Sequence, residues 1–363
     1  MRILQVITSL GIGGAENLVK EFALRFNQQG IETDVLLLNG LSSSFKDELT
    51  DRGINVISLS NGSLITVYNP LHIFRIGRIL KNYDIVHTHL FAAQYWTLFA
   101  KLLYKKDIKL ITTEHNSINR RTENKLLGLI DKFVFSRYDK VVCISKPTYE
   151  MMQSVLNDES NLILIENGID LSKISDALPY TKSELLNQPE NIKLVLCVAG
   201  FREQKDQDTL IRSLKYLPEY FHLALAGDGV RRALLENLAK DESVSKRVHF
   251  LGVRKDISQL LKSSDYNVLS SHYEGLSLSC IEGMASGKPF LASNVSGLKE
   301  IVDGAGILFE HQNPKDFADK ILELESDSKY KDEVVSKCLE RAALYDINKC
   351  TDKYITLYKS FFI

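Results

Sequence analysis

The chain has 363 residues, 44% of them hydrophobic and 25% charged, which is more than one hydrophobic core ordinarily serves, so two domains are expected. That composition excludes a largely disordered chain, and a formal net charge of −1 gives no general electrostatic case for a nucleic-acid partner. The five cysteines form no C-x-x-C pair and have no metal-ligand spacing, which argues for a reducing compartment and against a disulfide framework.

The opening MRILQVITSL enters a strand-like run with one early charge and no cleavage-type ending, so no signal peptide is expected. No apolar run reaches ~18 residues, the length of a membrane span, and a cytoplasmic location is expected. Residues 3–8 read as a strand, 16–29 as a helix and 32–38 as a strand. Further strands are expected at 55–59, 85–89, 110–114, 141–145 and 162–165, with helices at 70–81 and 92–104. Alternation of apolar strands with amphipathic helices predicts a parallel sheet covered on both faces. A polar stretch at 176–191, holding Pro179 and Pro189, reads as an interdomain linker. The alternation then restarts, with strands at 193–199, 222–226, 248–251, 266–269, 289–292 and 306–309 and a helix at 206–214. The fold class is therefore α/β, as two doubly wound parallel-sheet domains spanning about 1–175 and 190–345. A ligand is expected in a cleft between them, at the carboxyl ends of strands. Charge is uneven: residues 72–146 carry 14 Lys and Arg against 6 Asp and Glu, whereas 171–363 carry 26 against 28.

Several strand ends carry side chains suited to a phosphorylated ligand. Gly11, Gly13 and Gly14 follow the first strand and open a helix, where glycine admits close backbone approach and a helix N-terminus favours an anion. A dinucleotide fingerprint needs a third glycine where this chain has Glu16, so that reading is weak. His87 and His89 end a strand at a spacing that points both the same way. No third ligand lies nearby to make them a metal site, and His89 is expected to reach the cleft and bind a sugar hydroxyl or a phosphate. Thr113-Glu114-His115-Asn116 is a second polar cluster at a strand end. Arg202 and Lys205, three apart before a helix, can clamp a diphosphate, Arg as a planar fork and Lys as a point charge. Gly227-Asp228-Gly229 closes another strand. Glu274 and Glu282 stand eight positions apart, with Gly275-Leu276-Ser277 leading into a helix between them. The backbone N–H groups of 275–277 suit phosphate, Glu282 a ribose diol and Glu274 the hydroxyls of a sugar. A general acid and base pair as in glycoside hydrolysis fits poorly, because one glutamate starts a helix and the other lies within it.

Taken in order, these motifs resemble the retaining glycosyltransferases of family GT4, whose GT-B architecture pairs two Rossmann-like domains. The matching residues are the Glu-x7-Glu pair Glu274 and Glu282, Gly-Gly-Ala-Glu at 13–16, His-Thr-His at 87–89, Asn-Gly-Ile-Asp at 167–170, Lys205, Gly227-Asp228-Gly229 and Gly287-Lys288-Pro289. The resemblance implies transfer of a sugar from a nucleotide donor with retained anomeric configuration, no metal and no other cofactor. It implies that Arg202 and Lys205 hold the pyrophosphate, Glu282 the ribose and Glu274 the donor sugar, with His89 near both sugars. Gly13 and Gly14 would line the phosphate and acceptor side, His115 and Asn116 the acceptor side, and Gly227 and Val253 the donor, with the base near 252–254. The family pattern often places the arginine one position earlier, directly after the glycine, whereas here Phe201 intervenes before Arg202. Residues 346–363 resemble a closing helix that returns to the first domain.

A UDP-sugar is the favoured donor. Residues 96–106 and 120–132 mix Leu and Phe with Lys and Arg, as an interfacial helix would. A lipid-linked or oligosaccharide acceptor, met at the inner face of the plasma membrane during polysaccharide assembly, fits that pattern. The alternatives are a soluble transferase with a small acceptor, a non-catalytic nucleotide-sugar-binding protein and, more distantly, an epimerase. Acceptor recognition is expected in loops around 39–70 and 115–125.

Overall fold

The computed structural model describes the chain except residues 12, 42, 106, 116–124, 157 and 363. The chain forms two units, Met1–Gly168 with Ile347–Ile363, and Ile169–Asp346.

The first unit is built on a seven-stranded sheet in the order β3-β2-β1-β4-β5-β6-β7. Its strands are β1 (Arg2–Ile7), β2 (Glu32–Leu37), β3 (Val56–Ser58), β4 (Ile85–His89), β5 (Lys109–Glu114), β6 (Lys140–Cys143) and β7 (Leu162–Leu164), all paired in parallel. Strand alternation splits the apolar residues between two faces. Leu4, Val6, Val86 and Leu110 pack with the helices His72–Leu80 and Phe91–Tyr104. Ile3, Ile85, Ile111 and Val142 pack on the other face with Phe22 and Phe26 of helix Gly14–Gln28 and with the closing helix Ile347–Lys359. From that helix Ile347, Cys350, Tyr354, Ile355, Leu357 and Tyr358 are buried in this core.

The second unit carries a six-stranded parallel sheet, ordered β10-β9-β8-β11-β12-β13. The strands are β8 (Lys193–Val198), β9 (Phe221–Ala226), β10 (Val248–Gly252), β11 (Tyr266–Leu269), β12 (Phe290–Ser293) and β13 (Ile307–Phe309). Strand order reverses between β8 and β11, the position at which open parallel sheets ordinarily take their ligands.

Residues 176–191 differ from the linker expected of them. Thr181 caps the helix Lys182–Leu186 through a capping box with Glu184, the Tyr180 N–H donates to Ser263 Oγ at 2.8 Å, and Leu185 and Leu186 pack against the β8–β9 core. The stretch is part of the second unit, and the division between units falls at 168–169 rather than at 175.

Candidate functional site

In the second unit Lys205 follows β8 and Glu274 follows β11, so the reversal of strand order sets them face to face. Phe201 is fully buried and anchors the loop, and a one-turn 3₁₀ helix, Glu203–Lys205, follows Arg202. Three residues per turn bring Arg202 and Lys205 to the same side. Lys205 Nζ donates to Glu274 Oε1 at 2.5 Å, and Ser271 Oγ donates to the same oxygen at 2.5 Å. The two loops are tied further by Gln204 Nε2 donating to the Tyr273 carbonyl at 2.8 Å and by the His272 N–H donating to the Gln204 carbonyl at 2.7 Å. Arg202 is exposed and has no carboxylate bound to it among the described residues. It is a cation left available beside a paired one.

Leu276 packs on the core and holds the 275–277 loop down, and Ser277 precedes helix Leu278–Met284 without a side-chain cap. The Cys280 and Ile281 N–H groups donate to the Ser277 carbonyl at 3.1 and 3.3 Å, and the N–H groups before them in the first turn have no intrahelical partner. Glu282, one turn on from them, is half-buried and has no hydrogen bond or ion pair among the described residues. Burial pushes its carboxyl up to about 7, against a weaker opposing pull from Lys173.

The glycines of the site serve close backbone packing. A Cβ on Gly227 would lie 2.0 Å from the Ala199 carbonyl oxygen, and one on Gly229 would lie 2.5 Å from that of Phe201. Gly227 thus presses the loop after β9 onto the loop after β8, and its N–H donates to Gly252 at 2.8 Å. Val253 is exposed just beyond, while Arg254 is paired with Asp256, which also accepts from Tyr180 Oη at 2.9 Å. Gly297 was passed over in the sequence. With φ at +87° and a Cβ position 2.1 Å from the Glu274 carbonyl oxygen, it lets the loop after β12 close onto Glu274, whose N–H donates to Ser296 at 3.1 Å. Its only signal was a glycine shortly after a strand.

The first unit places its histidines differently from expectation. His87 and His89 do share a face, their ring centroids 4.2 Å apart, but both are fully buried, so His89 is not offered to an open surface. The closing helix lays Tyr354 and Tyr358 against His87, with ring centroids 5.5 and 5.9 Å away, while the His89 ring meets those of His87 and His115. Gln5 Nε2 donates to Tyr358 Oη at 3.4 Å, and the Tyr358 hydroxyl meets His87 Nδ1 at 2.7 Å. With Tyr358 donating there, His87 Nε2 carries its proton toward Thr113 Oγ1 at 2.8 Å. Gln5 Oε1 lies 2.8 Å from His89 Nε2, which fixes the proton on that nitrogen and leaves Nδ1 to accept from His115 Nε2 at 3.2 Å. All three imidazoles are held neutral by burial: His87 is lowered to about 3, His115 to about 4, and His89 well below its ordinary value. Asn116 lies outside the described residues.

Beside Gly13 the space is taken by the chain's own Glu16: a Cβ there would fall 2.3 Å from Glu16 Oε2. The first helix terminus thus carries a carboxylate of its own, where an anionic ligand would meet repulsion. Gly14, the first residue of that helix, is exposed.

Two doubly wound parallel-sheet units are the architecture of the GT-B fold. Residues 181–340 match the family described as Glycosyl transferases group 1, and residues 12–173 match Glycosyltransferase Family 4. An uncharacterised glycosyltransferase of Methanocaldococcus jannaschii is 30% identical over 262 residues, 70% of each chain. The UDP-Gal:alpha-D-GlcNAc-diphosphoundecaprenol alpha-1,3-galactosyltransferase of Escherichia coli is 27% identical over 94% of this chain and 92% of its own. Among solved structures, HepE of Anabaena in complex with UDP superposes with a TM-score of 0.85 at 21% identity, covering 99% of this chain and 100% of that one. The chain belongs to the group 1 glycosyltransferases of the GT4 type, and it is a glycosyltransferase.

Proposed function

We propose that the chain is a retaining glycosyltransferase that moves a hexose or N-acetylhexosamine from a UDP-sugar to a lipid-linked or glycan acceptor in cell-surface polysaccharide assembly. The observation that carries this reading is the Lys205–Glu274 pair at the strand-order reversal, with exposed Arg202 on the loop after β8 and Glu282 on the helix after β11. Lys205 and Arg202 take the diphosphate, the 275–277 backbone approaches it, and Glu282 accepts from the ribose diol. Glu274, steadied by Ser271, orients the donor sugar. The acceptor hydroxyl attacks C1 on the face the phosphate leaves. The C1–O bond breaks with its electron pair going to the β-phosphate, which takes the hydroxyl proton, so no protein nucleophile is required. Two cations on the leaving group make a metal on the diphosphate unnecessary. Transfer is therefore expected to persist in EDTA.

The UDP donor and the diphosphoundecaprenol-linked acceptor named for the Escherichia coli relative support this choice of substrates. So does one face of the first unit. Helix Phe91–Tyr104 exposes Leu102 and Leu103 near Lys101, and helix Lys125–Phe135 exposes Leu129, Ile130 and Phe133 near Lys132. No helix among the described residues is long and apolar enough to cross a membrane. A peripheral seat on anionic lipid is the mode such a face would use. Sedimentation with anionic vesicles, lost in Leu103→Glu and Phe133→Glu, tests it. The donor is tested by thermal shift with UDP, GDP and ADP. Stabilisation by UDP alone that vanishes in Lys205→Ala supports the reading, and no shift with any nucleotide overturns it.

A further inference from the structure

A second cluster lies beside the proposed donor residues. Asp206, His272 and His311 are borne by the loops after β8, β11 and β13, and one ligand atom from each lies within 4.8 Å of the others. His272 Nδ1 and His311 Nε2 face each other at 2.8 Å, and Asp206 Oδ2 is 4.0 Å from His272 Nδ1. Asp206 is 4% exposed and has no lysine or arginine bonded to it among the described residues. A buried carboxylate without a cation is costly. The cluster is also built. Thr209 Oγ1 donates to Asp206 Oδ2 at 2.7 Å, the Asp206 carbonyl accepts from Ser270 Oγ at 2.9 Å, and the His272 N–H is held by the Gln204 carbonyl.

We propose that Asp206, His272 and His311 bind one divalent transition-metal cation of the zinc class, which fastens three strand-end loops of the second unit together. Two imidazoles and a carboxylate suit zinc, whereas magnesium and calcium favour all-oxygen sets. A metal about 2.05 Å from both nitrogens at a tetrahedral angle sets them ~3.3 Å apart. Opening the observed pair by about half an ångström, with a matching approach of Asp206, makes room, and water completes the coordination. Thr209 then serves as the outer partner that orients the ligating carboxylate. The site is structural: it lies beside Lys205 and Glu274 but leaves both free for the donor. His272 and His311 are 39 residues apart in sequence, a spacing that matches no metal-binding motif.

The test uses the full chain stripped with EDTA and dialysed. Zinc chloride titrated calorimetrically is expected to bind with one equivalent and to raise the melting temperature, and cobalt is expected to give the visible absorption of a tetrahedral site. Magnesium should do neither. His311 is a half-exposed loop residue, so His311→Ala should melt with the wild type in EDTA yet bind zinc at least ~10-fold more weakly. His311→Gln, which keeps a hydrogen bond to His272, should lose zinc equally. His222→Ala, which breaks the other histidine pair of this unit, should bind as wild type. Absence of zinc binding, binding unchanged in both His311 variants, or binding lost in His222→Ala would overturn the proposal. UDP binding of the stripped protein is read separately, so failure here leaves the donor assignment standing.

Discussion

Glu282 holds a carboxylate in a half-buried position with no cation bonded to it among the described residues, and its titration follows from its burial. Its folded value of about 7 lies above the ordinary 4.5, so the folded protein binds the proton more tightly than the unfolded chain. The favourable contribution is complete below pH 4.5 and is lost as pH rises through 7. Glu282→Gln should therefore stabilise the free protein at pH 8, by at most roughly 3 kcal/mol, and change nothing at pH 4.5, as urea unfolding at the two pH values would show. The same variant should bind UDP more weakly, because an amide is a poorer acceptor for a diol. Wild-type affinity for UDP should rise with pH through 7. Lys205 has the opposite character: Lys205→Ala leaves Glu274 buried without its counter-charge, so it should lower stability by about 1–3 kcal/mol as well as weaken nucleotide binding. These charged residues were legible in sequence because strand ends restrict where they can point. The burial of His87 was not legible, since what packs on it includes Tyr354 and Tyr358, some 270 positions away.

Three elements show what local pattern conveys and what it leaves out. Period-2 patterning placed the strands of both sheets within a residue or two, and the helices expected at 16–29, 70–81, 92–104 and 206–214 are found as closely, whereas Lys146–Leu156, Arg232–Asp241, Pro314–Ser326 and Ser328–Ala342 were given no range. The segment 176–191 was read as linker from its prolines and polarity, although Thr181 and Glu184 already spelled a capping box. Its membership in the second unit depends on a hydrogen bond to Ser263 and on packing under β8, neither of which is local. The loop 294–297 gave even less signal, because its role lies in how near Gly297 comes to Glu274. Gly297→Ala would drive a methyl group to 2.1 Å from the Glu274 carbonyl oxygen at a φ of +87°. It should cost about 1–3 kcal/mol and weaken UDP binding without touching a charged group. In the closing helix, Tyr358→Phe removes the hydroxyl shared by His87 and Gln5 and leaves two buried polar atoms without that partner. A loss of about 1–3 kcal/mol is expected, with a fall in melting temperature as the readout.

The molecule as a whole should respond to acid through both units, since His249 of the second is also lowered to about 4 by burial, and to nucleotide through its second. His87 is lowered from 6.5 to about 3, so the unfolded chain takes up a proton that the folded unit refuses. Its contribution is complete above pH 6.5 and is lost as pH falls, at about 1.4 kcal/mol per pH unit, and His115 adds in the same direction. Melting temperature should drop between pH 7 and 5, and the drop should be shallower in His87→Gln. UDP, by contrast, should slow amide exchange in 199–205 and 270–277 while leaving β1 and β4 unchanged. Both units could be drawn from sequence as separate sheets, because each sheet is continuous in its own stretch of chain. The order of the chain has one more effect. Ile347–Lys359 belongs to the core of the first unit, yet all of Ile169–Asp346 is synthesised before it. At ribosomal speed that interval lasts roughly ten to forty seconds. Throughout it the nascent first unit shows Ile3, Phe22, Phe26, Gln5 and His87 uncovered, a surface that chaperones would meet before the enzyme's own last helix does.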